Sequence, residues 1–137
     1  MLFRSMGSQD KHQVEKNRHF IQALGHAWDG VKDVVKKERN MRFHIIAAVL
    51  VIIVAFLMQV NVFEWLWLLS AIFVVFAAEF ANTIVEELVD LVVHHHYDLD
   101  AKYAKDIAAG VVLLAAFYAV LVGLLIFWPR FKNLLGI

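Results

Sequence analysis

The stretch WLWLLSAIFVVFAAEFANTIVEELVD, residues 65–90, decides how the rest of the chain is read. From Trp65 to Ala78 it carries no charge, and then come four carboxylates, Glu79, Glu86, Glu87 and Asp90. The uncharged part reads as the inside of a membrane helix, since a span needs about 20 consecutive apolar residues. A charge at the bilayer centre costs about 2.5–3.5 kcal/mol on insertion scales and less toward the interface. The acids at the end of this helix therefore require a physical reason.

The whole chain is apolar enough to support that reading. It has 137 residues, 61% of them hydrophobic, against about half in soluble domains. There is no cysteine, so disulfides are excluded. The N-terminal MLFRSMGSQDKHQVEKNR lacks the apolar core of a signal peptide, and no secretory cleavage is expected. Three transmembrane helices are predicted, at about 43–60, 63–91 and 105–128. The connection QVNVFE makes the first two a tight hairpin, while HHHYDLDAKYA is longer and polar. Pro129 is expected to stop the third helix, with Trp128 in an interfacial belt. The fold class is an all-α membrane protein: a polar tail at 1–18, then a single domain at 19–137.

Lysine and arginine set the expected orientation. Arg4, Lys11, Lys16, Arg18, Lys32, Lys36, Lys37, Arg39 and Arg42 precede the first span, and the first hairpin has none. Lys102 and Lys105 lie in the second connection, and Arg130 and Lys132 follow the last span. The positive-inside bias puts the N-terminus and the second loop in the cytoplasm and the C-terminus outside a plasma membrane.

Before the spans, at about 19–38, Phe20, Leu24, Ala27, Trp28, Val31, Val34 and Val35 recur at helical spacing. His26, Asp29, Lys32, Asp33, Lys36 and Lys37 fall largely between them. This is an amphipathic helix with a basic polar face, suited to lying on the inner leaflet. Packing on a soluble partner is the alternative; the nearby span favours the membrane surface.

Glu79, Asn82, Glu86 and Asp90 are spaced 3, 4 and 4, which puts them in one stripe on one helix face, with Glu87 off it. Glu79 and Asp90 are separated by about 16 Å along the axis. A helix end protruding into water accounts for Glu86, Glu87 and Asp90 but not easily for Glu79 and Asn82. An intramembrane acid reads first as a functional site. In ERNMRFH, Glu38 and Arg42 stand four apart where the first span begins, and the hairpin brings them toward the acid stripe. Glu38 and Glu86 could share a divalent cation, for which Mg²⁺ prefers oxygen ligands. In AKYAKDIAAG, Lys105 offers a charge suited to phosphate, and Asp106 precedes Ala108, Ala109 and Gly110, small residues that permit close helix approach. Each piece alone has an ordinary structural reading; together they are equipment for phosphoryl transfer. GHAWDGVK has glycines at the Walker A separation, but Val31 stands where lysine is needed. The nucleotide would have to be held by helices. His94, His95 and His96 beside Asp98 could bind a transition metal, but consecutive histidines on a loop do not converge easily, and a solvated loop is the preferred reading.

ERNMRFH, EFANTIVEELVD and AKDIAAG, in this order and spacing, resemble the small bacterial lipid kinase family that joins diacylglycerol kinase and undecaprenol kinase. The resemblance covers about residues 19–128. It implies a homotrimer with active sites between protomers at the cytoplasmic interface, ATP as phosphoryl donor, Mg²⁺ as cofactor and a membrane lipid alcohol as substrate. No nucleic-acid partner is expected. By motif match, Glu38 and Glu86 would bind the metal and Glu79 would act as general base on the lipid hydroxyl. Asn82, with Arg42, would position the reacting groups. Asp90 would belong to the nucleotide side, Lys105 would contact ATP phosphates with Asp106 beside it, and the surface helix carrying Trp28 and Gly30 would help cover the nucleotide. Where diacylglycerol kinases carry a second acid after the arginine, this chain has His44. Its wording is closer to the Gram-positive-type branch, which favours undecaprenol over diacylglycerol. A non-enzymatic cation channel or transporter subunit, its acid stripe lining a permeation path, is the rival of another class; it leaves Lys105 and the basic surface helix unexplained.

Overall fold

A computed structural model describes residues 8–137, with side chains from residue 15 onward. Four helices follow one another: α1 (Ser8–Lys37), α2 (Arg39–Leu57), α3 (Val62–Val93) and α4 (Leu99–Leu135). Among the described residues there is no strand. The chain divides after Lys37 into two units, α1 belonging to the first and α2–α4 forming the second.

α1 is one continuous helix that starts at Ser8, well before the expected residue 19, so much of the polar segment expected as a tail is helical. Few residues of that segment break a helix, and Lys36 and Lys37 complement the negative end of the dipole in its last turn. Phe20, Leu24, Trp28 and Val31 are exposed on it.

In the second unit, α2, α3 and α4 are each long and apolar enough to cross a membrane. Their borders follow local chemistry. α2 starts at Arg39, ahead of the expected residue 43, because Glu38 already takes the extended N-cap conformation, with its side chain making no cap bond. It ends at Leu57, where Gln59 turns the chain with a φ of 52°. α3 opens with a capping box: Asn61 Oδ1 accepts from the Glu64 amide at 3.0 Å, and the Asn61 amide donates to Glu64 Oε2 at 3.0 Å. α4 begins earlier than expected, because Asp98 caps it through the Ala101 amide at 2.9 Å.

Pro129 does not stop α4, contrary to expectation; the helix runs on to Leu135 and closes at Gly136, whose φ is 70°. Proline removes one helical donor. The following turn is held by other means: Arg130 Nη1 donates to the Ile126 carbonyl at 3.3 Å, and the guanidinium pairs with Glu64 at the start of α3. One residue thus ties the two helices together at this end. Arg130→Ala should lower stability by about 1 kcal/mol, the upper range for a part-exposed pair, and would be read as a lower unfolding midpoint in detergent with unchanged helix content.

α3 is the central element and packs against both α2 and α4. Its buried Leu68, Ala71, Val75, Ala78 and Asn82 follow a 3-4-3-4 spacing, and on α4 Ala108, Ala115 and Val122 repeat every seven. This is the seam of two antiparallel helices packed as in a coiled coil, and its alanines permit close approach. Of the small residues expected to serve that purpose, Ala108 is buried in the seam; Ala109 is exposed, and a Cβ at Gly110 would meet nothing within 4 Å. Near the Pro129 end, Ala55, Leu68, Ala71, Val122 and Ile126 of all three helices share one cluster with Val60 of the turn between α2 and α3. Toward the other end the buried cluster, Val75, Ala78 and Ala115, belongs to α3 and α4 alone. Between α2 and α4 lies an apolar groove of about 500 Å³, floored by Ile72, Val75 and Phe76 of α3.

Candidate functional site

Glu79 lies where α2 faces the middle of α3. It is the most completely buried large side chain among the described residues, 1% exposed. Neither of its carboxylate oxygens has a hydrogen-bond partner, nor does Asn82 Oδ1 one turn on. Buried polar atoms are nearly always paired, so three orphans within one helical turn mark a place prepared for something else. The Glu79 backbone is fixed in part by Thr83, whose hydroxyl donates to the Glu79 carbonyl at 3.0 Å. The side chain that approaches its carboxylate is His44 of α2, with Nε2 3.6 Å from Glu79 Oε2.

The helical stripe continues as expected. Asn82 Nδ2 donates to Glu86 Oε1 at 3.2 Å, so the amide orients the second acid and leaves Oε2 available. Glu38 and Glu86 both lie close enough to act electrostatically on Glu79. Carboxylates are the hard oxygen donors that a divalent cation of the Mg²⁺ type prefers. No ready-made cluster of three metal-ligating side chains is present among the described residues, so such an ion would need to bring water or phosphate oxygens of its own. Arg42 sits on the first turn of α2, its amide donating to the Glu38 carbonyl at 3.3 Å.

A second, polar region lies at the turn from α3 to α4. Lys105 Nζ donates to Asp90 Oδ1, joining two residues expected on the nucleotide side, and His95 Nδ1 stands 3.8 Å from Asp90 Oδ2. Asp90, Lys105 and Asp106 all line a hollow of about 610 Å³ together with Lys102 and Tyr97. Asp106, beside Lys105 in the sequence, pairs its carboxylate with Lys102, one turn back on the same helix. His94 and His95 take left-handed backbone conformations at the C-terminus of α3, and all three histidines are exposed. Glu87 is exposed beside the stripe. Trp28 and Gly30 belong to α1, in the other unit; Trp28 is exposed, and a Cβ on Gly30 would meet nothing within 4 Å.

In the sequence His44 stands out as a departure from the motif, outside the expected site. The signal was present: Met41, His44, Ala48, Val51 and Ala55 follow the same 3-4 spacing as the other seams, which points His44 inward. Arg130 was read as a tail charge because its partner Glu64 lies 66 residues away.

Fold and site together define a helical membrane protein with an acidic, oxygen-rich centre at one end of its bundle. Comparison with known proteins supplies the rest. The chain belongs to the prokaryotic diacylglycerol kinase family, whose profile matches residues 25–127. It is 41% identical to undecaprenol kinase of Bacillus subtilis over 91% of its own length and 99% of the relative's. It is 39% identical to a diacylglycerol kinase of Synechocystis over 90% of its length and 69% of that protein. It is 27% identical to diacylglycerol kinase of Escherichia coli K12 over 81% and 90% of the two chains. The protein is a lipid kinase, a phosphotransferase with an alcohol group as acceptor.

Proposed function

We propose that the chain phosphorylates undecaprenol with MgATP, yielding undecaprenyl phosphate and ADP. The observation that carries this is a buried, unpartnered carboxylate next to the head of a long apolar groove. The groove runs from Phe43 and His44 to Trp128 and Phe131, with almost entirely apolar walls, and His44 at its head is the neighbour of Glu79. A lipid alcohol with its tail in the groove has its hydroxyl close to Glu79. The long identity to an undecaprenol kinase, spanning that relative almost entirely, supports the polyprenyl substrate over diacylglycerol.

In this reading the lipid hydroxyl oxygen attacks the γ-phosphorus of ATP, the bond to the β–γ bridging oxygen breaks, and ADP leaves. Glu79 takes the hydroxyl proton. Asn82 holds Glu86 in place, and Arg42 helps to position the reacting groups. Lys105, held ready by Asp90, meets the phosphates, and Asp106 flanks the nucleotide hollow with Lys102. Mg²⁺ would be held by Glu38 and Glu86 and would neutralise phosphate charge. The exposed apolar side chains of α1 suit a helix on the membrane surface, where Trp28 and Gly30 help cover the nucleotide. The charge pattern supports a plasma-membrane protein with a cytoplasmic N-terminus and second loop and an external C-terminus. A homotrimer completes the reading, to be checked by the mass of the detergent-solubilised assembly.

Purified protein in mixed micelles, given undecaprenol or diacylglycerol side by side with MgATP, tests the substrate. The expected result is a kcat/KM at least about tenfold higher for undecaprenol, about 1.4 kcal/mol of discrimination. Reversed values would assign the protein to diacylglycerol, and equal values would refute a preference for undecaprenol.

A further inference from the structure

We infer that His44 is a positioning residue for the kinase reaction: its imidazole Nε2 orients the Glu79 carboxylate toward the lipid hydroxyl. The inference rests on the reading of Glu79 as the base. His44 Nε2 stands 3.6 Å from Glu79 Oε2, with the two side chains 16% and 1% exposed. That separation is beyond a hydrogen bond, which closes at about 3 Å, so a small rotation of either side chain completes the contact. Both oxygens of Glu79 are otherwise unpartnered. A carboxylate in that state can turn about its last bond, and each orientation presents a different oxygen to the substrate. A donor on Oε2 removes this freedom and leaves Oε1 to accept the proton.

His44 is also placed where such a contact affects substrate. It occupies the inward seam of α2 between Met41 and Ala48, and it lines the head of the apolar groove beside Phe43 and Ala47. A polar ring in that apolar lining has a burial cost unless a polar partner offsets it, and the Glu79 carboxylate is the polar group beside it. Glu38 and Glu86, the acids that act on Glu79, are both repulsive toward a carboxylate. The imidazole therefore supplies what the neighbouring acids cannot, a donor.

The test uses the full chain in lipid micelles, with undecaprenol, diacylglycerol and MgATP. His44→Leu keeps an apolar-compatible shape in the groove and removes the donor. It should lower kcat by about 10- to 100-fold while KM for MgATP stays within about twofold. His44→Gln, whose amide can donate to the same oxygen, should recover to within about fivefold of the parent rate. A merely structural histidine would change yield or unfolding midpoint without this split or rescue. A His44→Leu kcat within about threefold of the parent, or a His44→Gln as slow as His44→Leu, overturns the inference. Glu79→Gln is assayed in parallel: if it stays active, the reading of the base fails, whereas an inactive Glu79→Gln beside an active His44→Leu sinks only the role of His44. Should His44→Leu not assemble, ¹⁵N-histidine spectra of the parent and Glu79→Gln decide. The His44 Nε2 resonance must move between them, and an unchanged resonance overturns the contact.

Discussion

Glu79→Gln should abolish most turnover while leaving the assembly intact. The replacement keeps shape and volume but cannot take a proton. General-base catalysis by a positioned carboxylate contributes about 10²- to 10⁴-fold, so kcat is expected to fall by that much with KM for MgATP nearly unchanged. Stability should move the other way or not at all. Glu79 is 1% exposed with both oxygens unpartnered, and a buried neutral amide is less costly than a buried carboxylate. Phosphate transfer to lipid and the unfolding midpoint in detergent, measured on one preparation, check both. Wild-type turnover would remove Glu79 from the role of base. A collapse of the midpoint would mean that the carboxylate is structural.

Glu86→Gln should produce a loss of similar size by a different route. Asn82 donates to Glu86 Oε1, and the glutamine amide oxygen can still accept that bond, so the substitution isolates the charge. Disturbing only the support of a metal ligand typically costs about 10–100-fold in metal affinity, and removing a ligand's charge should cost at least as much. The expected signature is a raised Mg²⁺ requirement at fixed ATP, with activity partly restored at high Mg²⁺. A Mg²⁺ dependence identical to the parent would take Glu86 out of the metal site.

The acid stripe was legible because helical spacing is local: Glu79, Asn82, Glu86 and Asp90 belong to one uninterrupted helix, α3. The three spans were legible for the same reason, since length and apolarity are local too. What escaped depends on partners far away in sequence. Arg130 could not be matched to Glu64 without knowing that α3 and α4 lie antiparallel, and without that tie Pro129 looked like the end of a helix. Asp106 stands beside Lys105 in sequence, and its carboxylate pairs with Lys102 one turn back. Asp90, fifteen residues back on α3, takes Lys105 instead. His44 needed only its own helix, but its seam is made largely of alanines, whose inward direction is weakly signalled by hydrophobicity.

The groove between α2 and α4 is open along its flank, and Phe43, Val120, Leu124 and Trp128 on its rim are exposed. A substrate that slides in sideways never leaves the bilayer. Its effective concentration is then a surface density, in moles per mole of lipid, and bulk molarity becomes irrelevant. Diluting the alcohol with inert lipid at constant total substrate should slow the enzyme, while adding more vesicles of unchanged composition should not. Tail length beyond the groove should matter little, because the excess chain rests in the same hydrocarbon whether bound or free. The protein would thus sense how crowded its leaflet is with unphosphorylated alcohol, a two-dimensional quantity that a soluble kinase has no means of reading.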